Sequence, residues 1–222
     1  MQEPNRDFYE LHFSKERMDT YTNSNCLGVL DAQKLFEWES RTGSAFWEVL
    51  AHLELSLRSL LDRRMIARTL YRSGSEQWTL DPQSEIRMAS RRMSIELSKA
   101  IERVRRQGKM VTHSAVVSEL PLGFWVTLAS RKFQFLWPDL VSGFLGVSSR
   151  DMQSIQTPLR EFRNLRNQIG HHHPIANQNL GEIYSEIIDL ARFIDPKLEV
   201  WISGRSRVPQ MLSEKPNQTI QE

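Results

Sequence analysis

Between residues 46 and 61 the apolar side chains Phe46, Val49, Leu50, Leu53, Leu57, Leu60 and Leu61 recur at steps of three and four. That spacing puts all seven on one face of an α-helix; a half-buried strand would alternate at every second residue. The same period returns in Ile86, Met93, Leu97, Ile101 and Val104, in Ile155, Leu159, Phe162, Leu165 and Ile169, and in Ile183, Ile187, Leu190 and Phe193. A chain that repeats this pattern builds its core from helix faces, so the expected fold class is all-α. The segment "KLEVWIS" near residue 200 is the one place with strand-like alternation.

Local signals place the element ends. Ser14 can cap a short helix over residues 15–21, and Asp31 another over 32–41. "RTGS" reads as a break, after which Ser44 starts the long helix that runs to about residue 70. One helix is expected over 84–107, closed by Gly108. A short one follows over 112–120, stopped by Pro121, and "PLGFWVTLAS" opens another with its proline where a missing N–H does no harm. "FLWPDLVSGFLG" suggests two short apolar elements hinged at Pro138. Ser149 or Asp151 is expected to open the helix of residues 155–169, and the last long helix spans about 179–193. From Gly204 to the end the chain is polar, and a loose tail is expected.

Bulk properties narrow the function classes. At 222 residues and 40% hydrophobic content the chain can bury one sizeable core and is no disordered segment. The single cysteine, Cys26, allows neither an internal disulfide nor a cysteine-based zinc site. The polar start "MQEPNRDFYE" carries no apolar leader, and no run approaches the length of a membrane span, so a cytoplasmic protein without membrane contact is expected. The net charge of +2 hides an uneven spread: residues 58–109 hold 13 Lys or Arg against 6 Asp or Glu. A basic segment of this kind either decorates outer helix faces or tracks a polyanion.

The stretch "FRNLRNQIGHHHPI", residues 162–175, concentrates the chemistry. Consecutive helical residues diverge, so His171, His172 and His173 on a helix would not chelate one ion, and the His pair four apart that helical zinc sites use is lacking; no metal or other cofactor is expected. Asn167 and His171, four apart, share a helix face with Arg163 one turn earlier. Arg166 lies five residues before His171, about 140° around the axis, and both can edge one groove. Gly170 leaves room beside His171 for another backbone or a substrate. The residues alone leave two readings open: a site for chemistry, or a solvated polar face of an amphipathic helix.

"LRNQIGHHHPI" resembles the R-N-x-x-x-H signature of the HEPN superfamily in its Abi-like (abortive-infection) form. Two further segments carry the likeness in the right order: "FEWESRTGSAFWEVLAHLELSLRSLL", with Glu54 and Arg58 in a Glu-x-x-x-Arg pattern, and "VVSELPLGFWVTLASRKFQFLW", with Gly123, Phe124 and Trp125. The chain departs from the family form at Gln168, where arginine is expected, at His173, where an acidic residue is, and at Ser59, where asparagine is common. The resemblance implies a HEPN-like helical bundle with additional helices over residues 11–203, followed by the flexible tail 204–222. It implies a homodimer whose signature residues meet across the interface, and a metal-independent endoribonuclease acting as an abortive-infection or toxin-type effector in phage defence. Some members only bind RNA, and others are held inactive by an RNA or protein antitoxin.

That chemistry suits the residue types. In RNA the 2′-OH is the nucleophile, and an imidazole can take or give a proton at neutral pH. The catalytic set implied is therefore His171 as base or acid, Arg166 on the phosphate, and Asn167 as orienter. Arg163, His172, Arg58, Arg91 and Arg92 are the candidate RNA contacts. For Glu54 and Arg58, four apart, an ordinary intrahelical ion pair and a place in the groove remain equal alternatives. His173, before Pro174, is expected off the helix and off the catalytic stripe. Trp125 and Trp137 are expected in the core.

Overall fold

The computed structural model describes residues 5–25, 29–147 and 153–216; Cys26 and the expected helix start at Ser149 or Asp151 lie outside them. The described residues are helical and form no strand: α1 (Arg6–Phe13), α2 (Lys15–Asn25), α3 (Val29–Ser73), α4 (Glu85–Ala89), α5 (Arg91–Arg106), α6 (His113–Glu119), α7 (Leu122–Leu128), α8 (Trp137–Leu140), α9 (Gln153–Gly170), α10 (Leu180–Ile194), α11 (Pro196–Ser203) and α12 (Val208–Ser213). The 3-10 turns Arg131–Leu136 and Val141–Gly143 flank α8. No helix among the described residues is long and apolar enough to cross a membrane.

The 45 residues of α3 form the axis of the molecule, on the order of 65–70 Å at 1.5 Å per residue. Helices α2, α7, α8, α9, α10 and α12 pack along it, α9 and α10 also pack on each other, and α5 packs on α4 and α6. The face read from the sequence is the buried one: Phe46, Leu53, Leu57 and Leu61 are fully enclosed, as are Ile155 and Phe162 on α9. Burying each such side chain is worth about 1.5–3 kcal/mol. Trp125 and Trp137 are core residues, and Trp78 stacks on Phe124 at 6.1 Å.

Four sequence expectations need correction. The first is the break at residues 41–44, through which α3 continues. Thr42, Ala45 and Phe46 are fully buried, and the hydroxyls of Ser40 and Ser44 donate back to the carbonyls of Phe36 and Ser40 at 3.1 Å. A helical glycine costs about 1 kcal/mol against alanine, less than the buried face returns. Asp31 accordingly sits inside the first turn of α3, where its charge suits the helix dipole, and caps no separate helix.

The second is the helix expected over 84–107, which is two. Ser90 turns extended (φ −154°, ψ 111°) and its hydroxyl accepts from the Met93 N–H at 3.5 Å, starting α5 as an N-cap. Ile86 and Met93 stand seven apart and both stay buried, so the apolar repeat passes over the interruption unmarked. Gly108, at φ 68°, ends α5 as expected.

The third is "KLEVWIS", which is helix α11. Asp195 accepts from the Lys197 N–H at 2.8 Å and Pro196 occupies the first turn, a strong start signal that outranks four residues of alternation. The fourth is the tail. Residues 204–216 are tied down: Val208 is buried, the Met211 carbonyl accepts from the Trp38 indole N–H at 2.6 Å, and Lys215 Nζ donates to the Ala176 carbonyl at 2.8 Å.

Two glycines make opposite predictions. At Gly146 the backbone runs against the end of α10, and an added Cβ would fall 1.9 Å from the Arg192 carbonyl oxygen. Gly146→Ala is expected to destabilise by about 2–3 kcal/mol, since backbone must move. At Gly43 an added Cβ meets nothing nearer than Ile169 Cγ2 at 4.0 Å. Gly43→Ala is expected to stabilise by about 0.5–1 kcal/mol through helix propensity. Urea melts of both variants check the pair; a shared sign would contradict this account of α3 and α10.

Candidate functional site

The stretch 162–175 lies along the seam between α3 and α9 and over the end of α9. Phe162 and Leu165 bury its inner face, which turns Arg163 and Asn167 out to solvent and leaves Arg166 half-buried at the edge of α3. The helix ends earlier than a run of three histidines on a helix would need, at Gly170. His172 adopts φ 55°, in the left-handed region. Its N–H donates to the Ile169 carbonyl at 3.0 Å, and the His173 N–H to the Gln168 carbonyl at 2.8 Å. This is a Schellman C-cap with histidine where glycine is usual. The turn brings the His171 and His173 rings to 5.9 Å, so His173 stands beside His171. His173 is off the helix, as its place before Pro174 led one to expect; its ring nevertheless lies beside that of His171, whose N–H closes the last i→i−4 bond of the helix to Asn167.

A buried carboxylate holds that turn in place. Glu39 of α3 is 5% exposed. Its Oε1 accepts from the Tyr21 hydroxyl at 2.6 Å and from Arg17 Nη2 at 3.0 Å; its Oε2 accepts from the backbone N–H groups of Ile175 at 2.8 Å and Ala176 at 2.7 Å. Arg17 then reaches over with Nη1 to the His172 carbonyl at 2.5 Å. With four donors on two oxygens, Glu39 has no lone pair left for a metal or a proton transfer; it positions. Burial, reinforced by Glu39, pushes the Tyr21 hydroxyl above the usual phenol range.

Arg166 faces the other way along α3. Its Nε donates to Glu54 Oε2 at 3.4 Å, and its guanidinium carbon lies 5.6 Å from the centre of the Trp47 ring. Arg58 also bonds Glu54. Both alternatives for Glu54 and Arg58 therefore hold at once: they form an ion pair, and the pair lines the groove wall next to Arg166. The terminal nitrogens of Arg166 have no protein partner among the described residues.

Two cavities meet at Trp47. One, of about 540 Å³, is bounded by Arg17, Gly43, Trp47, Gly170, His172 and His173. The other, of about 280 Å³, is bounded by Trp47, Leu55, Arg58 and Arg166. The structure thus gathers Arg58, Arg166 and His172 around one trough. Exposed His171 and Asn167 line neither cavity; the His171 N–H donates to the Asn167 carbonyl at 2.9 Å, and Arg163 is exposed one turn earlier on α9. Arg91 and Arg92 are elsewhere, exposed at the start of α5, a helix that packs on α4 and α6.

Sequence reasoning missed Arg17, Glu39 and Trp47 as site residues. An acidic residue flanked by Trp38 and Ser40 on a helix gives no sign that it will be buried; only the return of residues 172–176 over α3 encloses it. A second polar cluster was also invisible: His113 Nε2 lies 3.0 Å from Asp62 Oδ1 and its Nδ1 lies 2.8 Å from the Thr79 hydroxyl. This has the order of a hydrolytic relay, but Thr79 is fully buried and Asp62 also accepts from the Trp78 indole at 2.8 Å. It clips the loop after α3 to α6. Among the described residues no three His, Cys, Asp or Glu side chains converge as metal ligands would. No family model matches the chain, and no curated protein or solved structure shows significant similarity to it.

Proposed function

We propose that this protein is a metal-independent endoribonuclease of the HEPN type, acting in its Abi-like role as an abortive-infection or toxin-type effector. The observation that carries the reading is Arg166: a guanidinium anchored by one nitrogen to Glu54, with its two terminal nitrogens free, one turn from a C-cap that carries two adjacent imidazoles. A phosphodiester on those nitrogens would have its charge met by a planar donor fork. His171 takes the 2′-OH proton as the 2′ oxygen attacks phosphorus. The bond from phosphorus to the 5′ oxygen breaks and a protonated imidazole returns a proton to the leaving oxygen. The products are a 2′,3′-cyclic phosphate and a 5′-OH end.

Within one chain Arg166 leans toward Trp47 while His171 sits exposed beyond the end of the helix. A second copy contributing its own set would supply the separate base and acid, which supports a homodimer as the active form. The engagement of Arg166 Nε by Glu54 favours a second reading, a catalytically silent RNA-binding module, or a toxin restrained by an RNA or protein antitoxin.

Incubation of the purified protein with labelled RNA, with and without EDTA, separates these readings. Cleavage is expected in both tubes, with termini that resist phosphatase until the cyclic phosphate is opened, from a protein that light scattering finds as a dimer. Cleavage that stops with EDTA defeats the metal-free mechanism, a fully active monomer defeats the paired site, and binding without cleavage selects the silent module.

A further inference from the structure

We infer that Trp47 is a stacking platform for an unpaired nucleobase, and that the 540 Å³ cavity on its Gly43 side is the base subsite next to the phosphate held by Arg166. The inference rests on the RNA reading above and specifies the substrate as single-stranded at this position.

Three observations converge on it. Trp47 is 42% exposed on a helix whose neighbouring aromatics, Trp38 and Phe46, are fully buried. Its ring lines both cavities, and the Arg166 guanidinium, 5.6 Å from the ring centre, lines only the smaller one. The larger cavity is bordered by two glycines, Gly43 four residues earlier on α3 and Gly170 at the end of α9, where an added Cβ would lie 3.7 Å from the Trp47 ring and 3.8 Å from Arg166 Nη1. Neither has a positive φ, and a Cβ would meet nothing closer than 4.0 Å at Gly43 or 3.7 Å at Gly170, where the nearest atom is the Trp47 ring itself. Backbone conformation and packing therefore explain neither glycine, although each carries a helix-propensity penalty. What the two share is the cavity they border with Trp47: Gly170 faces the ring directly, and Gly43 stands one helical turn before it, where a longer side chain would project along the same face. A cavity of this volume is in the range of small-ligand sites.

The surrounding charges fit a nucleotide. The carboxylates at the trough are spent, Glu39 on four internal donors and Glu54 on Arg58 and Arg166. The terminal nitrogens of Arg166 remain for a phosphate, and a base entering the larger cavity would share the Trp47 ring with that neighbouring guanidinium. A duplex keeps its bases stacked inside and offers none to this slot.

The test uses full-length protein carrying His171→Ala, so that RNA is bound without being cut, with an eight-nucleotide oligoadenylate and an eight-residue abasic ribose-phosphate chain as probes. Trp47→Leu is expected to weaken oligoadenylate binding about tenfold, the usual worth of one stacked base, and to leave the abasic chain unchanged; Trp47→Phe is expected to retain most of the affinity. An equal loss for both probes, or none for oligoadenylate, overturns the inference, as does loss of oligoadenylate binding in Trp47→Phe with an unchanged melting temperature. The nuclease reading is judged apart, on wild-type cleavage: stacking without cleavage leaves the platform and removes the nuclease, while cleavage without the Trp47 effect does the reverse.

Discussion

His171→Ala and Arg166→Ala are each expected to lower RNA cleavage by at least a hundredfold while the melting temperature stays within about 2 °C of wild type. The rate loss follows from the roles: a positioned acid or base contributes about 10²–10⁴-fold, and one preorganised donor to a developing oxyanion about 10²–10³-fold. The small stability cost follows from the surroundings. His171 is exposed, and substitutions at such positions stay within about 0.5 kcal/mol. Arg166 is one of two guanidiniums on Glu54, so its removal leaves the carboxylate paired with Arg58; the loss of a half-exposed ion pair is worth up to about 1 kcal/mol. His173→Ala is expected to slow cleavage less than His171→Ala but measurably, because the C-cap sets the two rings side by side. Single-turnover rates and thermal melts on the same preparations decide the matter. A His171→Ala protein that cuts at the wild-type rate removes that residue from the chemistry.

Glu39→Ala is expected to cost about 3–5 kcal/mol, the largest stability loss of any single polar substitution proposed for this chain. The change strips four donors of their acceptor: the N–H groups of Ile175 and Ala176, the Tyr21 hydroxyl, and Arg17. Breaking a buried charge pair by deleting one partner leaves the other groups desolvated and unmatched. For a domain of this size that corresponds to a melting temperature lower by roughly 10 °C. Arg17→Ala removes one donor from Glu39 and one from the His172 carbonyl, at a half-buried position, and is expected to cost about 1 kcal/mol. A double-mutant cycle gives the coupling; Glu39→Ala within 1 kcal/mol of wild type would mean that residues 172–176 do not depend on this carboxylate. If both positioning and chemistry are as described, Glu39→Ala also loosens the His172 turn and lowers cleavage at temperatures where the protein is still folded.

Apolar periodicity carried the sequence reading well where one face decides everything. The stripes of α3 and α9 were legible because each buried residue is fixed by its helix phase alone. Ser14, Thr112 and Asn179 were legible as helix starts because capping is a local bond: each side chain accepts an N–H three residues on, at 3.2–3.3 Å. The same locality explains the misses. Gly43 looks like a break when only propensity is weighed, and Ser90 hides its kink because the buried residues on either side keep step. The candidate site was half visible. Residue type marked Arg166, Asn167 and His171, and the spacing of Asn167 and His171 holds as the last i→i−4 bond of the helix, whereas the lean of Arg166 toward Glu54 and Trp47 did not follow from spacing.

The sequence by itself determined that the protein is helical, which faces of its long helices are inward, and which segment holds a concentration of arginine, asparagine and histidine. These depend on interactions within one or two turns. Only the tertiary structure decided that Glu39 is a buried anchor, that His172 turns left-handed, and that Trp47 stands open between two cavities. The anchor and the surroundings of Trp47 require contact between residues more than a hundred positions apart, such as Glu39 with Ile175 or Glu54 with Arg166, and the local cap at His172 is held by Arg17 from 155 positions away; no periodicity in the chain encodes which distant segment will close over a given helix face.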